Sequence, residues 1–185
     1  MRIRVEICGV KNNKIMITLN TSRILVPFDF SITSKKALKH AASLAQLYDG
    51  ELQLLYVRKA KSIVSMGYSI AELRELAAES DNYKKMMEST AKEIREEFNI
   101  PVKVLVGLGK RIPGIIAACE KNGVGLIVMG TEGSESVSNL FSGSNSRKVV
   151  SRSEIPVITV RSEPQRKGYE NILIPVDLQN THAKK

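Results

Sequence analysis

Five short apolar segments alternate with amphipathic segments along most of this 185-residue chain, and this alternation restricts the possible folds more than any other feature. The apolar segments span residues 23–29, 51–57, 101–106, 124–129 and 155–160. The spacing of apolar side chains predicts helices over about 35–48 and 69–98, the second with a break near 80–82, and a third that ends at 122–123. Strands that alternate with helices in this way form a parallel sheet with right-handed crossovers. The sequence therefore predicts a parallel α/β fold.

The ends of the predicted strands are the first places to look for a binding site, because ligands of such folds bind beyond the carboxyl ends of the strands. These ends lie at Asp29, Val57, Gly107 and Gly130. Gly130 also opens a distinctive stretch, residues 130–146, in which a polar loop leads to a Gly-Ser pair before a predicted helix. Glycines let the backbone approach a phosphate closely, and a helix start offers unpaired N–H groups. The stretch therefore predicts an anion-binding loop.

The net charge of +9 raises the question of nucleic-acid binding. The excess lies mostly in the flanks, with +4 in residues 1–23 and +2 in residues 161–185, so residues 24–160 carry only +3. The chain has no tryptophan and only 5% aromatic residues, so it offers no recognisable base-stacking surface. We therefore expect no nucleic-acid partner. Two distant cysteines and the lack of an apolar leader or membrane-spanning segment predict a cytoplasmic protein.

The end of the chain repeats its first predicted strand. Residues 171–177 (Asn-Ile-Leu-Ile-Pro-Val-Asp) resemble residues 23–29 (Arg-Ile-Leu-Val-Pro-Phe-Asp), 148 positions earlier. This repeat predicts four parts. They are an unassigned extension over 1–22, in which 15–19 is either a short strand or an extended leader; a domain over 23–161; a linker over 162–168; and the start of a truncated second copy over 169–185.

The glycine stretch and its flanking strands resemble those of a known family. Gly130, two residues, Gly133, nine residues, Gly143 and Ser144 are spaced as in the nucleotide-binding signature of the universal stress protein family. The strand before Asp29 and the strand over 155–160 are also similar to the first and last strands of that family. The resemblance implies a five-stranded parallel sheet in the order 3-2-1-4-5 with helices on both faces. It also implies a homodimer, or pairing with a second copy of the domain, through the fifth strand.

The resemblance further implies that the chain binds ATP or AMP as a sensor or regulatory module of the stress response. Asp29 and the backbone of Val57 would hold the adenosine end, and Gly130 and Gly133 would admit the ribose and phosphates. The other residues that the resemblance places at the nucleotide are Pro27, Phe28, Met129, Thr131, Gly143, Ser144, Asn145 and Ser146. The acidic side chains of Glu132 and Glu135 would repel the phosphates unless Mg²⁺ bridges them or the side chains point to solvent.

No catalytic residue and no protein-bound metal site is predicted, because the loop contains neither a nucleophile–base pair nor a phosphate-stabilising lysine. Two alternatives stay open. One is a protein of the same fold that binds no nucleotide and acts through its surface, and the other is a weak ATPase or self-phosphorylating enzyme. An adenylate-forming enzyme would need a glycine-rich turn after the first strand, which residues 28–31 lack.

Three further features have simple structural interpretations. The Gly107-Leu-Gly-Lys110 sequence is predicted to be a strand–helix turn, because it lacks the full spacing of a phosphate-binding loop. Cys119 lies on an apolar helix face and is predicted to be buried. His40 and His182 have no partner at metal-ligand or catalytic spacing, and both are predicted to be surface residues.

Overall fold

The computed structural model describes residues 2–7, 15–58, 70–131 and 145–161, and these form a five-stranded parallel sheet, a hairpin and four helices. The elements in chain order are β1 (Arg2–Ile7), β2 (Ile15–Asn20), β3 (Arg23–Pro27), α1 (Ile32–Leu47), β4 (Glu51–Arg58), α2 (Ile70–Phe98), β5 (Val102–Leu108), α3 (Arg111–Asn122), β6 (Leu126–Gly130), α4 (Asn145–Val150) and β7 (Val157–Val160). The parallel sheet has the order β5-β4-β3-β6-β7. Numbered within this sheet alone, the order is 3-2-1-4-5, so the predicted topology is confirmed.

Strands β1 and β2 form a separate antiparallel hairpin before the main sheet. Arg2 pairs with Asn20 and Ile7 pairs with Ile15. The second strand falls on the segment for which a short strand was one of two alternatives. The first strand has no counterpart in the sequence prediction, although the strict alternation of charged and apolar residues in Arg-Ile-Arg-Val-Glu-Ile is the pattern of a half-buried strand.

Apolar side chains cover both faces of the main sheet. Successive side chains of a strand point to opposite faces, so a strand with helices on both sides is apolar throughout. On one face, α1 packs against β3 and β6, and α2 packs against β4 and β5, through buried apolar side chains. On the other face, α3 and α4 cover the sheet. Cys119 of α3 is 1% exposed in this second cluster, which confirms its predicted burial. Burial, with a smaller contribution from Glu120, raises the pKa of the Cys119 thiol to about 12, so this cysteine is an apolar packing group.

Helix α2 is one continuous helix, and the predicted break near 80–82 is wrong. The polar residues Asp81 and Asn82 that suggested the break are exposed, so their side chains need no buried hydrogen-bond partner. Met87, Ala91 and Ile94 are buried at helical spacing on the sheet side. The helix continues through the polar segment because its buried face, rather than local propensity, supplies most of its stability.

His40 is buried at 2% exposure, so its predicted surface position is wrong. The residue follows Ala37 by three positions and precedes Leu44 by four, which places it on the buried face of α1. Helical spacing therefore outweighs the usual exposure of histidine. Burial lowers the pKa of the His40 imidazole from its ordinary value of 6.5. His182 lies outside the described residues.

Stability should fall as the pH is lowered from 7.5 to 5.5, because of His40. Its pKa is lower in the folded state than in the unfolded state, so the unfolded chain takes up a proton first as the pH passes 6.5. The midpoint of urea unfolding should therefore be lower at pH 5.5 than at pH 7.5. A His40→Gln variant should show a smaller difference, because it lacks the buried imidazole. A difference as large as that of the wild type in this variant would contradict the assignment to His40.

Candidate functional site

The central strand β3 stops short of its neighbours, and this difference opens a crevice at the carboxyl edge of the sheet. Pro27 at the end of β3 pairs with Leu55, whereas β4 continues to Arg58. The N–H of Phe28 still donates to the Leu55 carbonyl oxygen at 2.8 Å, and the chain then turns towards α1. On the other side of β3, β6 extends to Gly130. The crevice lies between these strand ends, where the strand order reverses.

Backbone groups face the crevice from both sides. Alternate residues of a strand direct their N–H and C=O groups to the same side. Val57 therefore directs its backbone groups to the same side as Leu55, beyond the last β3–β4 pair. The N–H of Thr131 donates to the Val160 carbonyl oxygen at 2.9 Å, so Gly130, one residue earlier, directs its backbone groups away from β7 and towards β3. The crevice thus has polar backbone groups on both flanks.

The crevice is an open cleft with an empty volume of about 660 Å³, open solvent included. Its lining combines apolar and polar side chains from strand ends and helix starts. The lining residues are Pro27, Phe28, Asp29, Ser31, Thr33, Ser34, Leu55, Tyr56, Val57, Arg111, Ile115, Met129, Gly130, Asn145 and Ser146.

Most of the residues predicted at the site come together in this cleft. Pro27, Phe28, Asp29, Val57, Met129, Gly130, Asn145 and Ser146 all line it. Thr131 does not; its N–H and hydroxyl are both directed at the Val160 carbonyl oxygen, on the β7 side of the strand. Gly133, Gly143, Ser144 and the acidic residues Glu132 and Glu135 lie outside the described residues.

Asp29 is held in a tight turn between β3 and α1. Its Oδ1 accepts hydrogen bonds from the Ser31 N–H at 3.2 Å and the Ser31 hydroxyl at 2.6 Å. The Ser31 hydroxyl oxygen also accepts from the Ser34 N–H at 3.2 Å, so Ser31 is the N-cap of α1. Phe30, between Asp29 and Ser31, has a φ of 65°, a left-handed conformation that is energetically unfavourable for a residue other than glycine. The hydrogen bonds of Asp29 hold the backbone in this turn.

The environment of Asp29 favours its ionised form. Partial burial of the carboxyl group by itself raises the pKa. Hydrogen bonds from Ser31 and Ser34, together with the nearby charge of Arg111, outweigh this effect and lower the pKa below its ordinary value of 3.8. Asp29 is therefore a carboxylate at neutral pH and can only accept hydrogen bonds.

Arg111 is the principal cleft residue that sequence reasoning missed. It is the first residue of α3, and its Nη1 lies 3.9 Å from Oδ2 of Asp29. Its side chain is 34% exposed, and that of Asp29 is 42% exposed. The preceding segment is a strand–helix turn, as predicted, in which Gly109 has a φ of 126° and donates its N–H to the Arg58 carbonyl oxygen at 2.9 Å. That turn places Arg111 at the crevice.

An aromatic cluster supports the same edge of the sheet. The ring of Phe30 lies 5.0 Å from that of Phe28 and 5.8 Å from that of Tyr56, and Tyr56 stacks on Tyr83 of α2 at 4.5 Å between ring centroids. Burial and a hydrogen bond with Tyr83 raise the pKa of Tyr56 to about 12. The Tyr56 phenol is thus protonated at neutral pH. The ring contacts of Phe30 help to stabilise the left-handed backbone conformation of Phe30.

Residues 20–161 match the sequence model of the universal stress protein family. Universal stress protein MJ0577 of Methanocaldococcus jannaschii is 31% identical over 153 residues, which cover 75% of this chain and 94% of that protein. The solved structure of MJ0577 has a TM-score of 0.63 at 29% identity, covering 78% of this chain and 98% of that one. UspA of Lactobacillus plantarum gives a TM-score of 0.62 at 25% identity, covering 76% and 98%.

A solved universal stress protein from Archaeoglobus fulgidus has the same fold at 18% identity, with a TM-score of 0.52 and coverage of 77% of this chain and 99% of that one. Among the described helices, none is long and apolar enough to cross a membrane. The family match spans most of the chain, and the sheet order and the position of the crevice agree with it. The chain belongs to the universal stress protein family.

Proposed function

We propose that this protein binds an adenine nucleotide, ATP or AMP, in the crevice beyond the end of β3 and acts as a cytoplasmic regulatory module of the stress response. The observation that carries the proposal is that Val57 and Gly130 direct backbone groups into the crevice from opposite flanks. The solved Archaeoglobus fulgidus protein of the same fold is a complex with dAMP. Membership of the family and this geometry together favour a nucleotide over other ligands.

The side chains that line the cleft are chemically suited to an adenine nucleotide. A purine needs an apolar slot with a few polar contacts, and Leu55, Val57, Ile115 and Met129 supply apolar lining beside the Val57 backbone. The carboxylate of Asp29 can accept hydrogen bonds from sugar hydroxyl groups.

The phosphate end of the proposed site lies on the β6 side of the crevice. The backbone of Gly130, with Asn145 and Ser146 of α4, offers polar groups there. We propose, from the signature spacing, that Gly133, Gly143 and Ser144 complete the phosphate-binding loop. Backbone N–H groups suit a phosphate because they donate hydrogen bonds without a large side chain. Where the bound form is ATP, Mg²⁺ would balance the charge of the phosphates and the loop acids.

Mass spectrometry of the freshly purified and then denatured protein tests the proposed function, together with calorimetric titration of the emptied protein. We expect release of AMP or ATP, or saturable 1:1 binding of AMP or of ATP with Mg²⁺. A protein that releases no nucleotide and binds neither added nucleotide at millimolar concentration would contradict the proposal. That result would favour the alternative of an interaction module that acts through its surface.

We also propose that the protein forms a homodimer through β7. Within the described residues this strand pairs with β6 on one side, which leaves the other edge for a partner strand. Light scattering should give a mass of twice 20.5 kDa at micromolar concentration. A Thr159→Pro substitution places a ring and removes an N–H within β7 and should lower the dimer fraction. A monomeric wild-type protein under these conditions would contradict the dimer proposal.

A further inference from the structure

We propose that Arg111 and Asp29 together recognise one sugar hydroxyl group of the bound nucleotide, so that Arg111 is a specificity-determining residue for ribose over deoxyribose. This inference rests on the proposed function, because it concerns the same crevice. Its basis is the geometry of two charged groups that face each other across the cleft without forming a direct hydrogen bond.

The separation of the two groups fits a bridging hydroxyl. The distance of 3.9 Å between Arg111 Nη1 and Asp29 Oδ2 exceeds that of a hydrogen bond. A hydroxyl oxygen about 2.7 Å from Oδ2 and about 2.9 Å from Nη1 satisfies both groups, with an angle of roughly 90° between the two contacts at that oxygen. A hydroxyl group can donate to the carboxylate and accept from the guanidinium at the same time. A deoxy sugar can do neither at that position.

The turn that holds Asp29 selects which of its oxygens faces the ligand. Oδ1 already accepts two hydrogen bonds from Ser31, one from the N–H and one from the hydroxyl. Oδ2 is the oxygen nearer to Arg111. Ser31 therefore acts as a positioning residue, and Oδ2 is the acceptor oriented for a ligand.

The charges at this point favour a neutral polar group over a phosphate. Arg111 alone would attract an anion, but the Asp29 carboxylate, 3.9 Å away, opposes a second negative charge. Both side chains are partly exposed, and an ion pair of this kind contributes little to stability. Recognition of a hydroxyl group uses both charged groups. An ion pair with only a structural role would not need either group to line the cleft, as Asp29 and Arg111 do.

The test is calorimetric titration of the full chain with AMP, 2′-deoxy-AMP and 3′-deoxy-AMP. Wild-type protein should bind AMP about tenfold more tightly than the analogue that lacks the bridging hydroxyl. Arg111→Ala should reduce this ratio to about two- or threefold, because only Asp29 then contacts the hydroxyl. Lys110→Ala is the matched control: it removes the same charge from the neighbouring exposed residue, which does not line the cleft, and should keep the wild-type ratio.

The outcomes separate this inference from the proposed function. If wild-type protein binds AMP and both deoxy analogues equally well, the inference fails and the proposal of nucleotide binding stands. The wild-type titrations alone decide this outcome. If the ratio is the same in Arg111→Ala and wild type, Arg111 does not contact the hydroxyl and the inference also fails. If wild-type protein binds none of the three, the proposed function fails and the inference fails with it.

Discussion

Replacement of Gly130 by alanine should lower the free energy of unfolding by about 2 kcal/mol or more. A Cβ atom at this position would lie 2.5 Å from the backbone oxygen of Thr33 and 2.6 Å from its carbonyl carbon. Thr33 is in the first turn of α1, so the clash cannot be relieved by rotation of a side chain and the helix start must move away from β6. Urea unfolding followed by circular dichroism measures the change.

Gly107→Ala is the matched control for this prediction. Gly107 is also near the carboxyl end of a strand of the same sheet, but a Cβ there would meet Val57 Cγ2 at 3.7 Å, an ordinary contact. Its effect should stay within about 0.5 kcal/mol. Similar losses of stability in the two variants would show that the close approach of α1 to β6 is not what requires glycine at 130. Gly130→Ala should also weaken AMP binding, because the displaced helix start carries part of the cleft lining.

Replacement of Asp29 by alanine should weaken AMP binding about tenfold or more, because it removes the charged acceptor for the sugar hydroxyl and leaves Arg111 without its counter-charge. The substitution also removes the acceptor that holds the turn at Phe30. Calorimetric titration measures the affinity, and unfolding by urea measures the accompanying loss of stability.

Asp29→Asn separates the two roles of this side chain. Asparagine can keep the hydrogen bonds that hold the turn, so stability should stay close to that of the wild type, while loss of the negative charge should still weaken AMP binding. Asp81→Ala removes an exposed carboxylate from α2 and should leave the affinity unchanged. Equal affinities of Asp29→Ala and wild-type protein would remove Asp29 from the site.

Sequence patterns predicted the parallel α/β fold and the strand ends that meet at the cleft, whereas the sheet order and the other predicted cleft residues came from the resemblance to the universal stress protein family. The apolar strand segments and their ends at Asp29, Val57 and Gly130 are local features, and the rule for parallel sheets brings those ends together. Arg111 was missed because its proposed role depends on its position beside Asp29. Arg111 begins α3, whereas Asp29 lies just before α1, so the two residues are far apart in the sequence. No local pattern distinguishes a first-turn arginine that faces a cleft from one that faces solvent.

The errors have similar causes. The break predicted in α2 came from local polarity at 80–82, but burial of Met87, Ala91 and Ile94 on one face keeps the helix continuous. The prediction of a surface His40 came from residue type, although its spacing from Ala37 and Leu44 already placed it on the buried face. In both cases tertiary packing outweighed the local preference of the residues.

The most direct test of the account is a crystal structure of the protein grown with excess AMP. We expect the base in the crevice past the end of β3, hydrogen-bonded to the backbone of Val57, with a sugar hydroxyl between Asp29 Oδ2 and Arg111 and the phosphate on the Gly130 side. A crevice closed by protein side chains, or AMP bound elsewhere on the molecule, would contradict the proposal that the gap between β4 and β6 is the nucleotide site.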